Sequence, residues 1–78
     1  MKIQVLGPGC ARCKALDHNV TEAIKALGIT ADFEKVESIE EIMKFGVMTT
    51  PALVIDGKVI FAGRIGTVQE IKGLLELS

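Results

Sequence analysis

No stretch of this sequence approaches the eighteen or so consecutive apolar residues that a membrane-spanning helix requires. Nor does one charge prevail: nine basic residues face ten acidic ones, the formal net charge is -1, and no five or six like charges run together. An electrostatic footprint for nucleic acid or for an anionic membrane is therefore missing. The opening stretch MKIQVLGPG has one basic residue, and its apolar run is interrupted by Gln4 and stopped by Gly7 and Pro8, too short for a secretory signal. The expectation is a soluble cytoplasmic protein, in a compartment where cellular reductants keep structural disulfides open. Tryptophan and tyrosine are absent, and metal-binding side chains are scarce, with Cys10, Cys13 and the single histidine, His18. A closed zinc site needs four ligands, and His18 is the only third one within reach. On a helical wheel His18 falls opposite Leu16 and Val20, which makes it a solvated surface residue.

What is present is a high apolar content, 49% of 78 residues, enough for one small domain over residues 1–78 to fold on its own core as a monomer. Lys2 to Leu6 alternate and include β-branched residues, the mark of a strand that GPG then breaks. From Cys13 onward Leu16, Val20, Ile24 and Leu27 recur on one helical face, and Gly28 can end that helix in a left-handed cap. Alternation returns over Ile29 to Val36. Ser38 followed by Glu41 is a capping box, with Ile39, Ile42 and Met43 forming the inner face of a short helix that Gly46 terminates. The runs ALVI and KVIFAG flank Asp56-Gly57, the dipeptide of a two-residue type I′ hairpin. Thr67 with Glu70 is a second capping box, and Val68, Ile71, Leu74 and Leu75 line a last helix. The Phe and Met positions at helical spacing read as core residues. The order is β-α-β-α-β-β-α: an α/β fold in which a right-handed parallel crossover is extended by an antiparallel hairpin into a four-stranded mixed sheet, with helices on both faces.

The pair Cys10 and Cys13 stands at the first strand-to-helix junction, and three readings compete: a redox pair, half of a soft-metal site, or a structural bridge. A helix N-terminus offers unpaired N–H groups and the positive end of the helix dipole, so a thiolate there is stabilised. Thiols so placed titrate at roughly 3.5–7.5 instead of about 8.5. Steps of ~100° per residue put Cys13 on the inward face with Leu16 and leave Cys10 beyond the first turn. An exposed Cys10 would attack, and a shielded Cys13 would resolve. Two thiolates at this spacing also suit Cu(I). The small metal-carrying domains that use them run β-α-β-β-α-β, whereas this chain ends in a capped helix, and that order of elements favours redox. Arg12 and Lys14 read as ordinary surface cations.

GCARC at the first junction, TTPALVIDG leading into the hairpin and a final helix after AGRIGT together make the chain resemble the thioredoxin/glutaredoxin superfamily, and within it the small prokaryotic thioredoxin-like redox-active disulfide proteins. The resemblance covers essentially the whole chain. It implies a compact thioredoxin-like fold, a cis Pro51 beside the cysteines, and thiol–disulfide exchange with Cys10 and Cys13 as catalytic residues and no cofactor. It also implies that the Thr50 backbone pairs with an extended client segment, whose side chains lie on apolar surface around Gly9, Ala52 and Gly63. Thioredoxins usually carry Trp before the first cysteine and Gly-Pro within the motif; here Gly9 precedes and Ala11-Arg12 intervene. Glutaredoxins usually hold glutathione with Gly-Gly and Asp, where this chain has Gly63, Arg64 and Thr67. The expected substrates are therefore protein disulfides, and the expected electron donor is an enzyme of thioredoxin-reductase type.

Overall fold

The computed structural model describes residues 1–9 and 11–77. Its elements follow in the expected order: β1 (Lys2–Leu6), α1 (Ala11–Leu27), β2 (Asp32–Val36), α2 (Ile39–Lys44), β3 (Ala52–Ile55), β4 (Lys58–Ala62) and α3 (Val68–Glu76). The sheet has the order β2-β1-β3-β4. β1 runs parallel to β2 in the register Lys2↔Asp32 to Leu6↔Val36 and antiparallel to β3 from Ile3↔Ile55 to Leu6↔Ala52. Asp56 and Gly57 both have positive φ, 51° and 81°, as the tight hairpin between β3 and β4 requires.

The period-two alternation of the two central strands divides the core between the faces of the sheet. Ile3, Val5, Leu53 and Ile55 point to one side, where Leu16, Val20 and Ala23 of α1 meet Ile71 and Leu75 of α3. Leu6, Ala52 and Val54 point to the other and pack with Val36, Ile42 and Val47. Helices therefore cover both faces, and each large aliphatic so buried contributes about 1.5–3 kcal/mol. Gln4 is buried among them, and its amide nitrogen donates to Glu34 Oε1 at 3.3 Å. Among the described residues no helix is long and apolar enough to cross a membrane.

Several boundaries and faces differ from the sequence expectation. β2 begins at Asp32, whose N–H donates to the Met1 carbonyl at 2.9 Å. Ile29 and Ala31 lie outside the ladder and pack against the first core instead, so their alternation reports burial without pairing. β4 carries an irregularity, because Leu53 pairs with Phe61 and Val54 with Val59, leaving Ile60 as the extra residue of a bulge. Ser38 stands at the N-cap of α2 with extended φ and ψ, but its side chain accepts no hydrogen bond. On α3 only half of the box forms: Thr67 Oγ1 accepts from the Glu70 N–H at 3.1 Å, while the Glu70 carboxylate turns to Arg64. Ile39 and Met43, expected inside, are 65% and 67% exposed, and Met48, beyond the helix, is 97% exposed. Helix α2 has six residues, fewer than two turns, and Ile42 alone of them reaches the core.

Candidate functional site

The site lies where four chain segments come to one end of the sheet. Because β1 and β2 run one way and β3 and β4 alternate against them, the C-terminal ends of β1, β2 and β4 and the N-terminal end of β3 share that end. Crossing the sheet, Glu37 follows β2, Gly7 to Gly9 follow β1, Thr50 and Pro51 precede β3, and Gly63 follows β4. Helix α1 begins there at Ala11. Cys10 lies outside the described residues, and with it the expectation that this thiol is exposed at the helix head. Cys13 is in the first turn of α1, buried on its inward side at 5% exposure.

Gly7 fixes how closely strand and helix meet. Its N–H donates to the Val36 carbonyl at 2.9 Å, which holds the backbone at the end of β1. A side chain here would overlap Cys13 Sγ, stand 2.9 Å from Cys13 Cβ, and touch Thr50 Cβ at 4.0 Å. Only glycine lets the strand end, the Cys13 thiol and the Thr50 segment converge so tightly. The peptide bond between Thr50 and Pro51 is cis. Among the described residues the Thr50 backbone makes no hydrogen bond, and its side chain is half-buried.

Gly63 occupies the far side of this end, with φ of 80°. Its N–H donates to the Pro51 carbonyl at 2.8 Å, and its carbonyl accepts from Arg12 Nη2 at 3.1 Å. A Cβ at Gly63 would come within 2.8 Å of Thr49 Oγ1. Gly63 thus uses its own peptide groups to tie together the Pro51 segment and Arg12, one of the two residues between the cysteines. Ala52, expected on the apolar surface of the site, is fully buried in the second core and offers no such surface. Apolar surface is instead supplied by a groove of about 330 Å³ beside Thr50, lined by Pro8, Ile39, Ile42, Met43, Val47 and Met48.

On the other side of the motif a cavity of about 60 Å³ adjoins Cys13, bounded by Val5, Gly7, Gly9, Lys14, Asp17, Lys35 and Glu37. Asp17 stands one helical turn beyond Cys13, the spacing that places two side chains on one face. Its carboxylate is 20% exposed and pairs with Lys35 Nζ at 2.8 Å. The hydrogen bond to Asp17 and then its charge hold the Lys35 ammonium above its ordinary pKa. Gly7 was legible only as a strand breaker, and Asp17, Lys35 and Arg12 gave no sign of a site. A glycine three residues ahead of the first cysteine, and an acid four residues past the second, are the signals that would have marked two of them.

A sequence profile described as a thioredoxin domain matches residues 1–76. Among curated proteins, the chain is 44% identical over 75 residues to a thioredoxin of Methanothermobacter thermautotrophicus (strain Delta H), covering 96% of this chain and 97% of that one. It is 39% identical over 70 residues to a thioredoxin of Methanocaldococcus jannaschii, covering 90% of this chain and 80% of that one.

Proposed function

The chain belongs to the thioredoxin family, an oxidoreductase family, and from that premise we propose that it exchanges a Cys10–Cys13 dithiol with the disulfides of client proteins. The observation that carries the reading is the convergence at Gly7, where the buried thiol of Cys13, the end of β1 and the Thr50 segment meet with no room for a side chain between them. A thiol placed there is shielded from solvent yet within the same cluster as the helix head that follows Cys10.

In the forward direction the Cys10 thiolate attacks one sulfur of the client disulfide, forming a Cys10–client bond and releasing the first client thiolate. Cys13 then gives up its proton and attacks Cys10 Sγ. A Cys10–Cys13 disulfide forms and the second client thiolate leaves, so two electrons pass to the client, and protons from the solvent complete its two thiols. The cavity beside Cys13, with the Asp17 carboxylate on its wall, gives that proton a route outward. The unpaired Thr50 backbone accepts the client segment as a short added strand, and the groove of Pro8, Met43 and Met48 takes its apolar side chains. Methionine suits a surface that must fit many sequences, being unbranched and polarizable. The electron donor in this reading is a reductase of thioredoxin-reductase type in the cytoplasm, and the chain acts as a single domain and a monomer.

The reading is tested by trapping. Cys13→Ser should accumulate mixed disulfides with clients through Cys10, separable on non-reducing gels and identified by mass spectrometry, while Cys10→Ser should capture none. Trapping through Cys13 alone would reverse the roles and contradict the assignment.

A further inference from the structure

Two of the four cations around this end of the sheet, Lys35 and Arg64, are held in ion pairs. Asp17 holds Lys35 at 2.8 Å. Arg64, next to Gly63, donates to both Glu70 oxygens at 2.7 and 2.6 Å and lies over the Phe61 ring at 4.2 Å. Lys14 lies on the rim of the cavity on the Gly9 side and, among the described residues, makes no ion pair. Arg12 remains. It is exposed, and among the described residues no carboxylate pairs with it.

Of these two unpaired cations, Arg12 is the one that a contact across the fold orients. It sits between the two cysteines in sequence, and its Nη2 donates to the Gly63 carbonyl at 3.1 Å, across a separation of 51 residues. That bond draws the side chain over the end of β3 and β4, the side of the site where Thr50 and Pro51 lie. A guanidinium has five N–H donors in a planar fork, and a single bond to a carbonyl leaves the others for a ligand that is anionic and planar. The ligand at this place in the exchange reaction is the client segment around its reacting cysteine.

We infer that Arg12 determines specificity by selecting client disulfides that carry an acidic side chain beside the reacting cysteine. The inference rests on the oxidoreductase reading above and names the substrate class within it. An exposed ion pair is worth little at equilibrium, so the selection is graded and weakened by salt, and it acts on encounter as much as on the bound state.

The test uses three disulfide-linked peptides that differ only in the residue next to the cysteine, Glu, Gln or Lys, and reads their second-order rate constants with the reduced chain. Ratios between peptides are taken within each variant, so any effect of Arg12 on the Cys10 thiolate divides out. The wild-type chain should prefer Glu over Gln and Gln over Lys by about two- to fivefold at each step, converging in about 0.5 M salt. Arg12→Gln should level the series, Arg12→Glu should invert it, and Arg12→Lys should keep its order with a smaller spread. Equal rates for the three peptides in the wild type, or a preference that survives Arg12→Gln, would overturn the inference alone. A wild-type chain that reduces none of them overturns the oxidoreductase reading and the inference with it.

Discussion

A methyl group at Gly7 would overlap Cys13 Sγ and approach its Cβ to 2.9 Å, so the smallest possible substitution acts directly on the Cys13 thiol. Gly7→Ala forces either the backbone at the end of β1 or the Cys13 side chain to move. The expected cost is about 1–3 kcal/mol of stability, the usual range for overpacking a tight interior. A displaced Cys13 should also lengthen the lifetime of the mixed disulfide, since the attack on Cys10 Sγ depends on its position. Urea unfolding and quenched-flow alkylation measure the two effects separately, and unchanged values in both would mean that the strand end yields without cost.

At the level of elements, the two capping sites give a controlled contrast. Thr67 Oγ1 accepts from the Glu70 N–H, whereas Ser38 accepts nothing. Thr67→Ala should therefore cost ~1 kcal/mol, and Ser38→Ala only a few tenths. The first turn of α3 also carries an acid-sensitive pair. Hydrogen bonding from Arg64 holds the Glu70 carboxyl below its ordinary value of 4.5. Its contribution to stability is present above that ordinary value and is lost as the pH falls through the lowered one. Glu70→Gln should accordingly flatten the loss of stability below about pH 4.5, read from thermal melts across the acid range. The helices and the hairpin were legible in the sequence because their signals are local: Gly28 ends α1 at φ of 64°, and Asp56-Gly57 alone dictates the turn. What escaped was nonlocal. The bulge at Ile60 depends on the register with β3, the start of β2 on the Met1 carbonyl, and the second half of the Thr67 box on Arg64, which competes for Glu70. Ile39 and Met43 stay outside the core because a six-residue helix buries one position and leaves the rest beside the site.

Over the whole molecule, β1 and β3 contribute to both cores, and the segments that leave one end of the sheet form the proposed site. The strands' order brings Gly7, Thr50 and Gly63 together from positions far apart in sequence, which is why the pairing of C-x-x-C with Thr-Pro was legible only through resemblance, and the Gly7 contact not at all. In the proposed function Cys10 and Cys13 act as one two-electron couple. That coupling is tested most directly by equilibrating the chain against a graded dithiothreitol or glutathione redox series, quenching with an alkylating agent and counting modified cysteines by mass. Both thiols should disappear together in a single reversible transition, with a midpoint between about -270 and -180 mV. Cysteines that oxidise independently of one another, or that resist oxidation while the reduced chain holds Cu(I) and exchanges with no disulfide, would contradict it.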